Sequence, residues 1–244
     1  MRISGRLALA LLLALALTGS AQAGLRAVYF DASKSRQLII EVADNGDARI
    51  GEADSSDYGL LIDGKFLVVG DQQGKPMVAR IEDIGAAIDR VVPPIFHDML
   101  RDPSSAGLPK RLQASAAGEQ TVGGRKGRVY HISGFAGDDP AKAMDYVIST
   151  DPALAPVGHA LEQFMNAALV PAAVLMGSAI PELLGETREI FALGTPIDIS
   201  GRFRLDHVET IDIPAARFAL PAALTPVDAL VEGMKAEARD NAHR

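Results

Sequence analysis

The sequence has no cysteine and no tryptophan, and aromatic residues make up only 5% of its 244 residues. Without cysteine the chain can form neither a disulfide framework nor a thiolate site, so stability must come from its core. Because aromatics are few, aliphatic side chains must fill that core. The chain has 24 basic and 31 acidic side chains and a formal net charge of −7. Nucleic acid and anionic membrane surfaces attract basic faces, so the acidic balance argues against both as partners.

The first 23 residues have the three parts of a secretory signal peptide. Arg2 and Arg6 are their only charges, an unbroken Leu/Ala run extends from Leu7 to Leu17, and Ala21-Gln22-Ala23 ends the segment. The apolar run is too short for a membrane-spanning helix, which needs about 20 residues. We therefore predict cleavage after Ala23 and a periplasmic or secreted protein. An uncleaved anchor is the alternative.

Three glycine-containing dipeptides predict β-hairpins. Asn45-Gly46, Asp63-Gly64 and Gly123-Gly124 each separate two runs rich in β-formers, and two-residue hairpin turns need positive φ at both positions. A slip in the alternation at 207–210 predicts a bulge or turn there. The sequence predicts eight to ten strands, most of them joined by short connections. This pattern favours an antiparallel sheet with helices grouped in a few places, the α+β class.

The segment 158–180 is unusually apolar, with Glu162 as its one formal charge. The apolar residues of 157–169 recur at helical spacing, and Pro171 predicts that the helix breaks, with further pieces at 172–176 and 182–191. No piece between prolines reaches membrane-spanning length. A helix that is apolar on nearly all sides is normally buried, so we expect it either to pack on the sheet or to line a cavity. Two more helices are predicted, at 81–92 and at 222–244.

No motif in the sequence predicts a metal, a cofactor or a catalytic centre. The segment Gly70–Pro76 departs from a phosphate-binding loop, because Pro76 stands where a magnesium-binding Ser or Thr is needed. The five histidines are too far apart for a helical metal pair, and G-x-S-x-G does not occur. We therefore predict a protein that is not an enzyme. A hydrolase alternative depends on His131 and Ser133, which share one strand face but lack an assigned carboxylate. His159 lies on the apolar helix, where a lone His is more often a hydrogen-bonded structural residue than a ligand. If a helix-lined cavity exists, His159 is the first titratable group to test there.

The C-terminal third resembles a known family in three short motifs. These are Gly194-Thr195-Pro196-Ile197, Leu205-x-x-Val208 and Ile213-Pro214-x-x-x-Phe218-x-Leu220-Pro221. They resemble the end of an uncharacterised family of exported bacterial proteins, over roughly residues 125–222. That family is similar in outline to the periplasmic lipoprotein-carrier superfamily. The resemblance implies an incomplete antiparallel β-barrel, helices over its concave face and an apolar cavity between them. It carries no catalytic residues.

Together these patterns predict one α+β domain over 24–244, with a curved antiparallel sheet whose concave face is covered by helices. We expect it to bind or carry a hydrophobic ligand, a lipid or an acyl chain, between sheet and helices, with no cofactor. The predicted ligand-binding residues are Leu161, Phe164, Met165 and Leu169 from the helix and Phe66, Phe203 and Leu205 from strands. The alternative is a non-enzymatic envelope scaffold with a packed core. Cavity volume distinguishes the binding protein from the scaffold. A ligand pocket measures about 300–1,000 Å³, whereas a packed core holds only water-sized voids.

Overall fold

The structure is a computed structural model, and it describes residues 21–72, 74–93, 112–134, 143–176 and 179–242. The strands are β1 (Ala21–Asp31), β2 (Arg36–Ala43), β3 (Ala48–Glu52), β4 (Tyr58–Ile62), β5 (Lys65–Gln72), β6 (Lys75–Arg80), β7 (Gln113–Val122), β8 (Arg125–Ser133), β9 (Met144–Ser149), β10 (Thr195–Ile199) and β11 (Phe203–Pro214). The helices are α1 (Ile81–Val91), α2 (Ala155–Met176), α3 (Ala179–Ala192) and α4 (Val227–Ala242).

The strands form one curved antiparallel sheet in the order β6-β5-β4-β3-β2-β1-β11-β10-β9-β8-β7. It consists of two meanders, β1 to β6 and β7 to β11, joined where β1 pairs with β11. The sheet is not closed, and helices pack against it, so the predicted α+β class and half-barrel are confirmed. Short links explain the order, because a two-residue turn allows only an antiparallel neighbour.

The three predicted hairpin turns are present, and their backbone angles explain the residues found there. Gly46 has φ of 89°, Asp63 and Gly64 have 50° and 72°, and Gly123 and Gly124 have 54° and 74°. These angles lie in the left-handed region, where Gly is unstrained and Asp is tolerated. The bulge lies at residue 206, because Val28 pairs with His207 but Tyr29 pairs with Leu205. That is one residue before the predicted span.

Helix α2 packs on one face of the sheet, which we call the inner face. Strand residues Tyr29, Ile40 and Ile50 share a buried cluster there with Val157 and Leu161 of α2. The helix runs without a break through Pro171, so the predicted break is wrong. Proline removes one backbone donor, and the loss is limited here because Pro171 lies in the last turns of a helix held by its apolar contacts.

The first turns of α2 approach the sheet closely. A Cβ on Gly158 would lie 2.4 Å from Oγ1 of Thr195 in β10. The Thr195 hydroxyl donates to the carbonyl of Leu154 at 3.0 Å, just before the helix. Glycine therefore sets the distance between α2 and β10, and a hydrogen bond fixes the entry into the helix.

The opposite face of the sheet, the outer face, holds a buried carboxylate. Glu41 on β2 is 1% exposed. Its Oε1 accepts from Arg26 on β1, and its Oε2 accepts twice from Arg217 at 2.9 and 2.7 Å. Nη1 of Arg49 lies 4.0 Å away. We call this group the Glu41 clamp. It ties the segment after β11 to the middle of the sheet.

The two edges of the sheet differ. The β6 edge is covered, because Leu224 forms a parallel bridge with Val78 and the Thr225 amide donates to the Val78 carbonyl at 2.7 Å. Helix α4 then packs on α1 through Leu230 and Val231. Strand β7 forms the other edge, and every one of its residues except Val122 is exposed.

The chain start bears on the predicted signal peptide. Residues 1–20 lie outside the described part, and β1 begins at Ala21, which pairs with Pro214 of β11. Cleavage after Ala23 would therefore shorten β1 and leave it from Gly24 onward. Within the described part of the chain, no helix has both the length and the apolarity that a bilayer crossing requires.

Candidate binding groove and cavity

The inner face is open beside α2, where it forms a groove of about 550 Å³. This volume lies within the range of about 300–1,000 Å³ typical of ligand pockets. Its floor is apolar and comes from four strands and α2. The floor residues are Leu38, Ile50, Phe66, Val68, Phe164 and Phe203. An apolar floor next to solvent can bind the hydrocarbon part of a ligand.

The turns β1–β2 and β3–β4 surround the groove with polar residues. Asp31, Lys34, Arg36, Glu52 and Asp57 contribute charged groups to this rim. Glu52 accepts a hydrogen bond from Arg36 and lies 3.8 Å from Lys34, so it neutralises much of the positive charge. A hydrogen bond from the Ser33 hydroxyl lowers the pKa of Asp31. The rim therefore offers donors and acceptors to a polar head while the floor offers none.

A smaller apolar cavity of about 210 Å³ lies between α2, α3 and the strands. Leu38, Phe164 and Phe203 line both the cavity and the groove, and we call these three the partition. The cavity is also lined by Tyr146, Leu161, Met165, Thr187, Ile190, Phe191, Pro196 and Ile199. The groove and the cavity therefore adjoin each other at the partition.

The aromatic rings at the partition are held unequally. Phe203 stacks on Tyr29 with centroids 4.6 Å apart and planes 5° from parallel. The Tyr29 hydroxyl donates to the carbonyl of Pro196 at 2.9 Å, and burial raises the pKa of Tyr29 well above its usual range. Phe164 instead meets Phe66 in a tilted contact, with centroids 6.0 Å apart. Phe203 is therefore held by a stacked and hydrogen-bonded Tyr29, whereas Phe164 has only the tilted contact with Phe66 among the ring contacts of the described residues.

Gly59 gives Phe66 its place on the floor. A Cβ at Gly59 would lie 2.3 Å from the ring of Phe66, so the ring covers the bare backbone of β4. Any side chain at this position would push Phe66 into the groove. The glycine is thus part of the shape of the groove, although it contributes no contact surface of its own.

The structure brings together most of the predicted ligand-binding residues. Phe66, Phe164 and Phe203 line the groove, and Leu161 and Met165 line the cavity with two of these three. Leu205 is only 2% exposed and belongs to the core. Leu169 is half-buried and lines neither space. Their role in binding stays a prediction.

The sequence reasoning missed Leu38, Gly59 and the α3 side of the cavity. Leu38 alternates with Ile40 and Val42 on β2, so the period of the strand could have placed it on the inner face. Gly59 has no sequence signal beyond being a glycine in a strand, which marks a close approach. Ile190 and Phe191 belong to α3, which was predicted as a helix without any of its residues being assigned to the cavity.

None of the described histidines, His131, His159 and His207, lines the groove or the cavity. His159 is 61% exposed, with Nδ1 4.0 Å from Oε2 of Glu162, so it faces solvent and is not a group of the cavity. His131 gains the carboxylate that the sequence left unassigned, because its Nδ1 lies 2.8 Å from Oδ1 of Asp145. His131 is 48% exposed and lines neither space, so water surrounds the pair. His97 lies outside the described residues.

No group of His, Asp and Glu side chains in the described part of the chain is arranged to hold a metal ion. The buried Glu41 is engaged by arginines, and the rim carboxylates of the groove face Lys34, Arg36 and solvent. The described residues of the groove and the cavity therefore offer hydrophobic burial and hydrogen bonding.

Comparisons with known proteins give little further guidance. No protein-family model matches the chain, and no curated protein matches it. The resemblance of residues 125–222 to an exported family therefore stays an expectation. Among solved structures, the crystal structure of MucB is similar with a TM-score of 0.35 and 14% sequence identity. The match covers 90% of this chain and 64% of the MucB chain, and a likeness at this level says nothing about what the chain binds.

Proposed function

We propose that this protein binds the hydrocarbon part of an amphipathic molecule, a lipid or an acyl-chain compound, in the groove. The polar head would stay at the charged rim, and the apolar tail would lie on the floor and enter the cavity past the partition. This is a binding or carrier function without catalysis. The proposed setting is the periplasm or the exterior, after removal of residues 1–23.

One observation carries the proposal. The same three side chains, Leu38, Phe164 and Phe203, line a solvent-open groove and a smaller apolar cavity beside it. Phe164 is half-buried and lies on α2, so a change of its rotamer would join the two spaces without unfolding the sheet. A hydrocarbon tail would then replace water on the floor. Its burial would contribute about 0.8 kcal/mol of binding free energy per CH₂ group.

A scaffold without a ligand is the second candidate, and the small cavity favours it. About 210 Å³ is below the usual size of a ligand pocket, and the partition separates it from the groove. In that case the groove would be an ordinary surface depression. The two candidates differ in whether apolar molecules are taken up, so uptake is the quantity to measure.

The first experiment is native mass spectrometry of the protein purified from its own host, followed by organic extraction and lipid analysis. A long-chain fluorescent fatty acid is then titrated into wild type, Phe164→Asp and Leu220→Asp. Leu220 is 42% exposed and distant from the groove in the segment after β11, so it is a matched control. We expect uptake by wild type and by the control, and loss of uptake in Phe164→Asp.

The outcomes separate the candidates. A clean apo mass together with no fatty-acid uptake by wild type would replace the binding proposal with the scaffold. Uptake that is equal in all three proteins would show that the apolar molecule binds elsewhere. Thermal unfolding of each variant confirms that Phe164→Asp is folded.

N-terminal sequencing of the exported protein tests whether the signal peptide is cleaved after Ala23, with Gly24 as the expected first residue.

A further inference from the structure

The open edge of the sheet at β7 has a pocket beside it. Among the strands that the structure describes, β7 pairs only with β8, and nine of its ten residues are exposed, whereas the β6 edge is covered by Leu224 and Thr225. Unpaired amide and carbonyl groups on such an edge can accept a further strand. Residues 114–118 of β7 are Ala, Ser or Gly, and the strand contains no proline. The bulge between Ala116 and Gly118 leaves 113–116, next to the pocket, as a regular stretch for an approaching backbone.

The pocket measures about 220 Å³ and lies between the start of β7, β8 and α3. Leu112, Ala114, Ile132 and Ile190 give it apolar walls, and Glu186 and Glu189 add two carboxylates. Glu186 is fixed, because its Oε2 accepts from the Leu112 amide at 2.8 Å. Glu189 is exposed and forms no ion pair with the residues that the structure describes.

A strand added to β7 would place one side chain next to this pocket. Ala114 lies on the same face as Ile132, its partner on β8, and both line the pocket. The side chain opposite Ala114 on an added strand would be about 5 Å away on that face. Strand addition typically combines backbone hydrogen bonds for affinity with such pockets for specificity.

We propose that the β7 edge binds an extended segment of a partner protein, with a Lys or Arg side chain in the pocket between β7 and α3. The apolar walls suit the aliphatic stem of such a side chain, and the two carboxylates suit its cationic end. This interaction does not depend on the groove or on its ligand.

The composition of β7 makes a second copy of the chain a poorer occupant. The strand reads QASAAGEQTV, and Glu119 is its only charged residue. An antiparallel pair of two β7 strands would therefore bring no cation to either pocket. None of the described residues that line the pocket is cationic, and a basic segment would supply that charge.

The test uses a fluorescein-labelled ten-residue peptide of alternating threonine and valine with one central lysine. Matched peptides carry norleucine or glutamate at the central position. Fluorescence anisotropy gives the affinities, and hydrogen–deuterium exchange locates the peptide on the full-length protein. We expect slowed exchange in β7, about tenfold weaker binding with norleucine and still weaker binding with glutamate.

Three variants localise the effect. Glu189→Gln should lower the affinity for the lysine peptide toward that of the norleucine peptide, whose own affinity should not change. Ala114→Phe should fill the pocket and abolish the preference for lysine. Ser115→Phe places the same bulk on the other face of the strand and should leave the preference intact.

Several results would overturn the proposal. Equal affinities for the three peptides would show that the pocket does not select a cationic side chain. Slow exchange of β7 in the dilute free protein would mean that the edge is already covered by the chain itself. Protection of β7 that grows with protein concentration, together with a dimer mass, would assign the edge to a second copy.

Discussion

Removal of the Arg217 side chain should detach the segment after β11 from the sheet. Arg217 donates two hydrogen bonds to Oε2 of Glu41, at 2.9 and 2.7 Å, and Glu41 is 1% exposed. In Arg217→Ala that oxygen keeps only Arg49, whose Nη1 is 4.0 Å away. A hydrogen bond to a charged group contributes about 1.5–3 kcal/mol, but the Arg217 side chain is 40% exposed, which reduces the net value. We therefore expect a loss of about 2 kcal/mol of unfolding free energy.

Urea denaturation measures this loss, which should appear as a fall of about 1 M in the midpoint for an m-value of about 2 kcal/mol/M. Hydrogen exchange should accelerate at residues 215–226 before the rest of the sheet opens. Arg90→Ala is the matched control, because Arg90 bonds Asp228 at 2.7 Å with side chains 56% and 91% exposed. It should cost less than about 0.5 kcal/mol. Equal losses in the two variants, or unchanged exchange at 215–226, would refute the reasoning.

Three other perturbations have defined outcomes. Burial acts to raise the pKa of Glu41, but hydrogen bonds from arginine outweigh it and hold the pKa below its usual value. The stability gained by wild type over Glu41→Gln should be fully present above about pH 5 and disappear as the pH falls through the lowered pKa, which acid titration of unfolding measures. Gly59→Ala should displace Phe66, lowering fatty-acid affinity with a stability change under about 1 kcal/mol by thermal melting. Gly158→Ala should cost about 1–3 kcal/mol in urea, because its methyl group meets the buried Thr195; unchanged stability would mean that α2 shifts freely.

The hairpins could be predicted because their causes are local. Asp63-Gly64 adopts positive φ whatever surrounds it, so two residues define the β4–β5 turn. The pairing of β1 with β11 could not be predicted, since it joins residues about 180 positions apart and no local pattern specifies it. The break at Pro171 was mispredicted because it also depends on non-local contacts. Packing of α2 on the sheet outweighs the backbone hydrogen bond that proline removes.

The candidate site was partly predictable. Helical spacing identified Leu161 and Phe164, because the face of α2 that packs on a sheet must be apolar. It could not distinguish the turn that is buried from the turn that borders an opening. Leu205 and Phe203 have the same apolar pattern, yet one lies in the core and the other at the groove. That difference depends on which part of the inner face α2 covers, and only the assembled fold determines this.

The groove follows from a mismatch in size between sheet and helices. Eleven strands about 4.8 Å apart make a sheet about 50 Å wide, whereas a helix is about 10 Å across. Helices α2 and α3 cannot cover the whole inner face, so part of it must stay open. A scaffold would be expected to carry polar residues on that open part. Here Leu38, Ile50 and Val68 keep it apolar. An apolar floor beside a charged rim matches the two parts of an amphipathic molecule, and this match is what the binding proposal depends on.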